Sequence, residues 1–190
     1  MLRVARVVER TESEGPGQRF AVWVQGCSLR CAGCCNAEMF PARGGAMEDP
    51  QKLAERASAC GVDGVTLLGG EPFEQVDACA AFAREARARG LSVMTFTGFT
   101  IEELAEREGA RALIDACDLL VDGRFVREEL DASRRWIGSK NQRMHFLTAR
   151  YDREDPRFRE RQTAEIRFSR GEIVMNGWPS LVPQVRRSAR

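Results

Sequence analysis

Three cysteines in one short segment, Cys27, Cys31 and Cys34, are the residues whose spacing most directly predicts chemistry. Thiolates this close together repel one another unless a cation neutralises them, so the spacing predicts a metal ion or a metal cluster. Zinc sites are usually built from paired Cys-x-x-Cys knuckles, and the sequence contains no second knuckle. A closed iron–sulfur cubane takes four cysteines, so three leave one iron open to another ligand. The pattern favours a reactive iron–sulfur cluster and leaves zinc as the alternative.

The other four of the seven cysteines have different surroundings. Cys35 follows Cys34 directly, and adjacent residues rarely direct both sulfurs at one metal ion. Cys60, Cys79 and Cys117 lie in apolar or alanine-rich sequence, where a free cysteine behaves as a small core residue. The sole histidine, His145, is far from the cysteine segment in sequence and is expected to be structural. An odd cysteine count argues against a disulfide scaffold and fits reduced, cytosolic thiols.

Composition narrows the class of protein. The chain has 190 residues, which is most simply one domain. Lys and Arg total 29 against 28 for Asp and Glu, so the bulk charge predicts neither a nucleic-acid partner nor an acidic membrane surface. No uncharged apolar run is long enough to cross a bilayer, and the first residues lack the apolar segment of a signal peptide. These observations predict a cytoplasmic protein with no nucleic-acid or membrane partner.

Short apolar strands alternate with helices over most of the chain. An apolar run bounded by glycines predicts a buried strand at 65–68, and Asp49-Pro50 predicts the start of the helix before it. This alternation across short loops predicts βαβ units and a parallel sheet, which is an α/β fold. The predicted strands are 2–8, 19–25, 65–68, 91–97, 117–122 and 144–147, and the predicted helices are 50–60, 73–89 and one that starts with a capping box at 100–103. After them, a hairpin is predicted at 163–177 with its turn at 169–171, followed by a basic tail at 185–190.

A second motif, Gly69-Gly70-Glu71-Pro72, follows the predicted strand at 65–68. Together with the cysteine motif it resembles the radical S-adenosylmethionine superfamily. More narrowly, the chain resembles the activating enzymes of anaerobic ribonucleotide reductase. The other matching segments are Glu14–Arg19, Val24–Cys27, Cys31–Asn36, Thr97–Phe99, Leu120–Phe125 and Gly138–Arg143. The last two, which contain Asp-Gly-Arg-Phe and Gly-Ser-x-Asn-Gln, are the ones that point to the activating enzymes. In sequence order, the matching segments cover about residues 14–145.

The resemblance implies a partial, open (β/α)6 barrel with its site at the carboxyl ends of the strands. It implies a [4Fe–4S] cluster on Cys27, Cys31 and Cys34, with S-adenosylmethionine on the remaining iron. One electron, from a flavodoxin or ferredoxin type of donor, would cleave this molecule to methionine and a 5′-deoxyadenosyl radical. The implied partner is a glycyl-radical reductase, on whose glycine the radical acts. No catalytic residue beyond the cluster ligands is implied.

The resemblance also implies contacts to S-adenosylmethionine from the cysteine loop and from the strand ends. Gly33, Cys34 and Cys35 are expected along its adenine, although the family more often has an aromatic residue or a histidine where Cys35 stands. Thr97 and Asp122 end two predicted strands, where the family contacts polar atoms of the methionyl group or the ribose. A strand-ending aspartate is as often a helix or turn cap, so both interpretations of Asp122 stay open.

Gly-Gly-Glu-Pro is expected to form a further part of the same site. Gly69 and Gly70 would let the backbone come close to a ligand at the end of a parallel strand. Pro72 holds Glu71 extended, so that its carbonyl and carboxylate can face an ammonium group. A plain strand-to-helix turn would also explain the two glycines.

Three loop residues are expected either at the mouth of the site or in an ordinary polar loop: Asn141, Gln142 and Arg143. The predicted organisation is a radical S-adenosylmethionine core at 1–150 and a C-terminal extension at 151–190, which the smallest activating enzymes lack. Two other functions stay open. A related radical enzyme acting on a small molecule or a peptide could keep every motif above. A non-catalytic iron–sulfur or zinc module would have no need for Gly-Gly-Glu-Pro.

Overall fold

The computed structural model describes residues 1–169 and 172–177. Its strands are β1 (Leu2–Thr11), β2 (Arg19–Val24), β3 (Ala46–Glu48), β4 (Gly64–Gly69), β5 (Ser92–Phe96), β6 (Leu119–Asp122), β7 (Arg143–Phe146), β8 (Ala164–Ser169) and β9 (Glu172–Gly177). Its α-helices are α1 (Pro50–Ala59), α2 (Val76–Ala88), α3 (Ile101–Ala105) and α4 (Ala110–Ile114). Short 3-10 turns lie at Ala37–Met39, Pro72–Gln75, Arg127–Glu129 and Pro156–Arg159.

A seven-stranded sheet has the order β3-β1-β2-β4-β5-β6-β7. Its strands β2, β4, β5 and β6 run parallel, whereas β1, β3 and β7 pair antiparallel with their neighbours. Each parallel crossover contains at least one helix, as a connection between parallel strands requires. The α/β class predicted from the sequence is confirmed. Strands β8 and β9 form a separate antiparallel hairpin, at the predicted position.

The sheet has fewer parallel strands than the expected barrel. Four strands of the described residues run parallel, against the six of a (β/α)6 barrel. The reason lies between β6 and β7, where residues 123–142 form turns and one short 3-10 helix instead of an α-helical crossover. Without such a crossover the chain returns antiparallel, and β7 pairs with β6 from Asp122↔Arg143 to Leu119↔Phe146.

The α-helices all pack on one face of the sheet. Alternate side chains of the parallel strands point to that face, for example Phe20, Val22 and Leu67, and they form one buried cluster with residues of all four helices. The side chains between them, such as Trp23 and Leu68, point to the opposite face. The residues from outside the sheet that pack on that face come from loops and short 3-10 turns, such as Met39, Trp136 and Phe158, and not from the α-helices. We call it the helix-free face.

Local signals that the sequence displays set most element ends. The Asp49 side chain accepts hydrogen bonds from Gln51 N at 2.9 Å and Lys52 N at 3.0 Å, which caps α1 as predicted. Thr100 and Glu103 form the predicted capping box of α3. The helix predicted at 73–89 instead begins with the 3-10 turn, and its α-helical part starts at Val76.

The C-terminal hairpin is fastened to the segment after β1. Asn176 Nδ2 donates to Thr11 Oγ1 at 2.7 Å, and Gly177 N donates to Glu14 Oε1 at 2.8 Å. The middle of its predicted turn, residues 170 and 171, and the predicted basic tail at 185–190 lie outside the described residues. Across the part of the chain that the structure describes, every helix is too short or too polar to span a bilayer.

Arg19 joins the starts of three parallel strands from a fully buried position. Its guanidinium donates to Thr66 Oγ1 at 3.0 Å, to Ser92 Oγ at 2.5 Å and to the carbonyl oxygen of Val65. It also lies 3.3 Å from the hydroxyl of Tyr151, and burial lowers its pKa. Because the charge is buried among neutral acceptors, the fold depends on all of these hydrogen bonds being made.

We expect Arg19→Lys to lower the free energy of unfolding by about 2–4 kcal/mol, because one ammonium cannot reach acceptors that a planar five-donor group spans. Urea denaturation of the iron-free, reduced protein measures this loss. The exposed Arg111 provides the matched control, and Arg111→Lys should change stability by less than about 0.5 kcal/mol. A loss for Arg19→Lys as small as the control's would contradict this account of the buried arginine.

Candidate functional site

A cavity of about 200 Å³ opens on the helix-free face at the carboxyl ends of β2, β4 and β5. Trp23, Leu68 and Phe96 line it from these strands. The cavity brings together most of the residues that the sequence singles out. Those that line it are Cys27, Cys31, Cys34, Cys35, Gly69, Gly70, Glu71 and Thr97.

The cysteine loop begins directly after β2 and folds back on itself. Gly26 N donates to Met39 O at 2.8 Å, and Cys27 N donates to Phe40 O at 3.1 Å, so the two ends of the loop are joined. Within it, Cys34 N donates to the carbonyl oxygen of Cys31 at 3.2 Å. These bonds place the three thiols on one cavity although the chain between them has no regular secondary structure.

Burial and mutual hydrogen bonding make the thiols unequal. Burial raises the pKa of Cys27. The interaction between the adjacent Cys34 and Cys35 side chains lowers the pKa of Cys34 to about 7 and raises the pKa of Cys35 well above its usual value. Because the thiolate is the form that binds metal, the direction of these shifts favours Cys34 over Cys35 as the ligand.

The donor set fits an iron–sulfur cluster. Three thiols line one cavity, and thiolates are the usual protein ligands of such clusters. Nowhere among the described residues do three Cys, His, Asp or Glu side chains lie close enough to hold one metal ion together. A cluster does not require such convergence, because each of its cysteines binds a different iron.

The glycines of Gly-Gly-Glu-Pro are required by the protein's own packing. A Cβ on Gly70 would overlap the carbonyl oxygen of Gly26, and a Cβ on Gly69 would lie 2.6 Å from Cβ of Trp23. Glu71 N donates to that same Gly26 oxygen at 2.8 Å. The protein's own close contacts therefore require both glycines, because the end of β4 approaches β2 and the base of the cysteine loop, and both residues also line the cavity.

The Glu71 carboxylate connects the ends of β4 and β5. Its Oε1 accepts from Thr97 Oγ1 at 2.8 Å and from Phe73 N at 3.0 Å, and its Oε2 accepts from Gly98 N at 2.8 Å. Burial raises its pKa to about 7 despite these three donors. Thr97 thus uses its hydroxyl to orient Glu71, while both residues line the cavity.

Two predicted site residues, Gly33 and Asp122, lie outside the cavity lining. The Asp122 side chain is fully buried, accepts from Ile101 N at 2.7 Å at the start of α3, and pairs with Arg143 at 2.5 Å. Of its two open interpretations, the structure supports the cap. Gly33 has a φ of +74°, and a Cβ there would lie 2.8 Å from Cδ of Arg127, so its small size serves local packing.

The loop before β7 contributes one of its three expected residues to the cavity. Gln142 lines it and accepts hydrogen bonds from the backbone N–H groups of Gly138 and Ser139. Asn141 and Arg143 do not line it. His145 lies 3.2 Å from Asp122 and has a structural position, as expected.

Residues that sequence reasoning missed also line the cavity: Ser13, Glu14, Trp23, Trp136, Gln162 and Asn176. Burial raises the pKa of the Glu14 carboxyl to about 7. Glu14 stands in one of the motifs noted above, but no local pattern pairs it with Asn176, which lies 162 positions later. Only the docking of the hairpin reveals that these residues share a site.

Comparison with known proteins agrees with this site. A family described as a 4Fe–4S single cluster domain matches residues 13–145. The chain is 32% identical over 142 residues to the anaerobic ribonucleoside-triphosphate reductase-activating protein of Escherichia coli K12, covering 70% of this chain and 91% of the relative. The protein of the same name from Vibrio cholerae is 31% identical over 143 residues, with 70% and 91% covered. That of phage T4 is 30% identical over 138 residues, with 68% and 85% covered.

We expect Cys27→Ala, Cys31→Ala and Cys34→Ala each to abolish cluster loading, because each removes the thiolate of one iron. Cys35→Ala should retain most of its iron. Iron and sulfide content after anaerobic reconstitution, together with visible absorption that dithionite bleaches, measures the loading. Cys60→Ala is the control, since Cys60 does not line the cavity. Stoichiometric zinc, or an equal dependence on Cys35, would contradict the assignment.

Proposed function

Because the chain belongs to the family of anaerobic ribonucleoside-triphosphate reductase-activating proteins, we propose that it is a radical S-adenosylmethionine enzyme that installs a glycyl radical on an anaerobic ribonucleotide reductase. One observation carries the proposal. The three thiols and the Gly69–Glu71 segment line the same cavity at the carboxyl ends of parallel strands, where α/β proteins bind their ligands.

In this proposal Cys27, Cys31 and Cys34 hold a [4Fe–4S] cluster with one iron left for S-adenosylmethionine. When bound and supplied with one electron, the cluster and S-adenosylmethionine would provide methionine and a 5′-deoxyadenosyl radical, which would take a hydrogen atom from a glycine of the reductase and leave as 5′-deoxyadenosine. The electron comes from a flavodoxin or ferredoxin type of donor. Reduced thiols are required throughout, which is the reason to propose a cytoplasmic location.

Glu71 is positioned to receive the ammonium group of S-adenosylmethionine. A carboxylate offers about four acceptor positions, and three protein donors occupy Glu71. One acceptor position is therefore left on a side chain that lines the cavity. With a pKa of about 7, the buried carboxyl is partly protonated at neutral pH, and a bound cation would hold it ionised.

Apolar residues of the cavity protect the reaction from water. Trp23, Leu68 and Phe96 form a hydrophobic part of the lining on the helix-free face. A reactive radical needs such surroundings, because a dry site prevents side reactions. We propose that Gly33 and Cys35 support the site by holding the cysteine loop in position, and that Asp122 supports it by holding the start of α3.

We propose that the sheet is part of an open barrel, with fewer parallel strands than a (β/α)6 barrel has. Helices on one face only, with the site on the other, are what one part of a barrel wall would have. We likewise propose a core at 1–150 and an extension at 151–190, with the described hairpin completing the cavity through Asn176 and Gly177.

The decisive experiment for this function is radical transfer to a partner. We expect the reduced, reconstituted protein with S-adenosylmethionine to generate a doublet electron paramagnetic resonance signal on an anaerobic ribonucleotide reductase of the same organism. The doublet arises from the remaining α-hydrogen of the glycine, so α-deuterated glycine in the reductase should collapse it.

Cys34→Ala, which cannot complete the ligand set, is the matched negative control. Cleavage of S-adenosylmethionine without any doublet on the reductase would contradict the proposed function and favour a small-molecule or peptide substrate. Absence of both cleavage and doublet in a fully loaded protein would leave only a non-catalytic iron–sulfur module.

A further inference from the structure

Three residues of the cavity lining each have one buried polar side-chain atom that lacks a hydrogen-bond partner among the described residues. The atoms are Ser13 Oγ, Trp136 Nε1 and Asn176 Oδ1. Buried polar groups in folded proteins are nearly always hydrogen-bonded, because an unmade bond costs about 1–3 kcal/mol. Three such atoms around one cavity therefore indicate a place where something other than the protein completes the bonds.

The hairpin holds this part of the lining in place. Asn176 Nδ2 donates to Thr11 Oγ1, which leaves Oδ1 as the unbonded end of the amide. Gly177 allows the close approach, since a Cβ there would overlap Thr163 O and lie 3.1 Å from Cβ of Ser13. Asn176 and Gly177, which lie beyond the region that the family match covers, thus build part of this wall, whereas Ser13 and Trp136 lie within the match.

Trp136 is fixed in an unfavourable backbone conformation. Its φ is +62°, a region that bulky residues rarely adopt and that concentrates at functional sites. Gln162, also beyond the family match, accepts from Trp136 N at 3.0 Å and donates to Ile137 O at 2.7 Å. The ring of Phe158 packs edge-on against the indole at 5.5 Å between centroids. The direction of the indole N–H is therefore set before any ligand arrives.

The three atoms define the chemistry of their ligand. The indole N–H only donates, the amide oxygen of Asn176 only accepts, and the Ser13 hydroxyl can do either. Arg6 also lines the cavity, with its guanidinium 4.0 Å above the Trp23 ring and its charge acting on Glu14. A carboxylate could therefore approach Arg6, but it has no proton to offer the Asn176 oxygen. An ammonium would have nothing for the indole to donate to. A neutral group that carries one donor and one acceptor fits, and a backbone amide has this pair.

We propose that Ser13, Trp136 and Asn176 form a subsite that binds a backbone amide next to the target glycine of the partner polypeptide. This inference rests on the proposed function. Glycine has no side chain, so its two flanking amides are the only polar groups through which a protein can recognise it at short range. The subsite and the cysteines line one cavity, which allows the amide and the reacting Cα to be bound together.

Ser13→Ala tests the subsite because it removes only a hydroxyl that has no partner in the described structure. Trp136→Phe removes the indole N–H together with part of the ring that Phe158 and Arg135 contact, so urea denaturation must show that this variant is folded. We expect each to raise the KM for the reductase about 3- to 10-fold, the value of one hydrogen bond, while changing kcat less than 2-fold. The reaction uses the reconstituted protein and full-length reductase, with the growth of the glycyl doublet as the readout. Ser58→Ala, on the exposed side of α1, is the matched control and should change neither constant.

The outcomes separate this inference from the function on which it rests. If both variants keep the wild-type KM, the three atoms do not recognise the partner and the subsite is wrong. If the Kd for S-adenosylmethionine rises by the same factor with no reductase present, the atoms bind the nucleoside and the inference is also wrong. If the wild-type protein forms no doublet, the proposed function fails and this inference fails with it.

Discussion

The contact between the end of β4 and the backbone of Gly26 is the constraint on which the site depends. No side chain fits at Gly70, so the backbone of β4 comes close enough for Glu71 N to donate to the Gly26 oxygen. Gly26 immediately precedes the first cysteine of the loop. The same contact therefore fixes the start of the cysteine loop and the direction in which Glu71 leaves its strand.

This contact also determines how the rim of the cavity is built. Glu71 reaches the end of β5, where Thr97 and Gly98 donate to its carboxylate, and the rim of the cavity becomes continuous across two strands. Helices occupy only the other face of the sheet, so the rim remains open. The C-terminal hairpin then closes part of the opening through its hydrogen bonds to Thr11 and Glu14.

The sequence predicts the local features of this molecule well. Strands bounded by glycine, the Asp49 cap and the capping box at Thr100 depend on neighbouring residues, and the structure has all of them. The three cysteines are also near neighbours in the sequence, so their spacing predicts a common location for the three thiols. The antiparallel direction of β7 was not predicted. It follows from the absence of an α-helix between β6 and β7, and the sequence there has no pattern that indicates a strand direction.

Long-range partners account for the other differences. The sequence predicts that Gly70 makes room for a ligand, and the structure shows in addition a close neighbour, Gly26, in the loop after β2. Asp122 looks equally suited to a ligand or a cap until Ile101 and Arg143 are found beside it. The wall of Ser13, Trp136 and Asn176 joins three distant segments, and each of its residues is unremarkable within its own segment.

The central claim is that the three thiols hold a cluster whose remaining iron takes S-adenosylmethionine within this cavity. Electron–nuclear double resonance on the reduced cluster, with S-adenosylmethionine labelled with ¹⁵N at its amine and ¹⁷O at its carboxylate, measures this contact most directly. The account predicts hyperfine coupling of both labels to the cluster, because both atoms would bind one iron. Bound S-adenosylmethionine with no coupling from either label would contradict it.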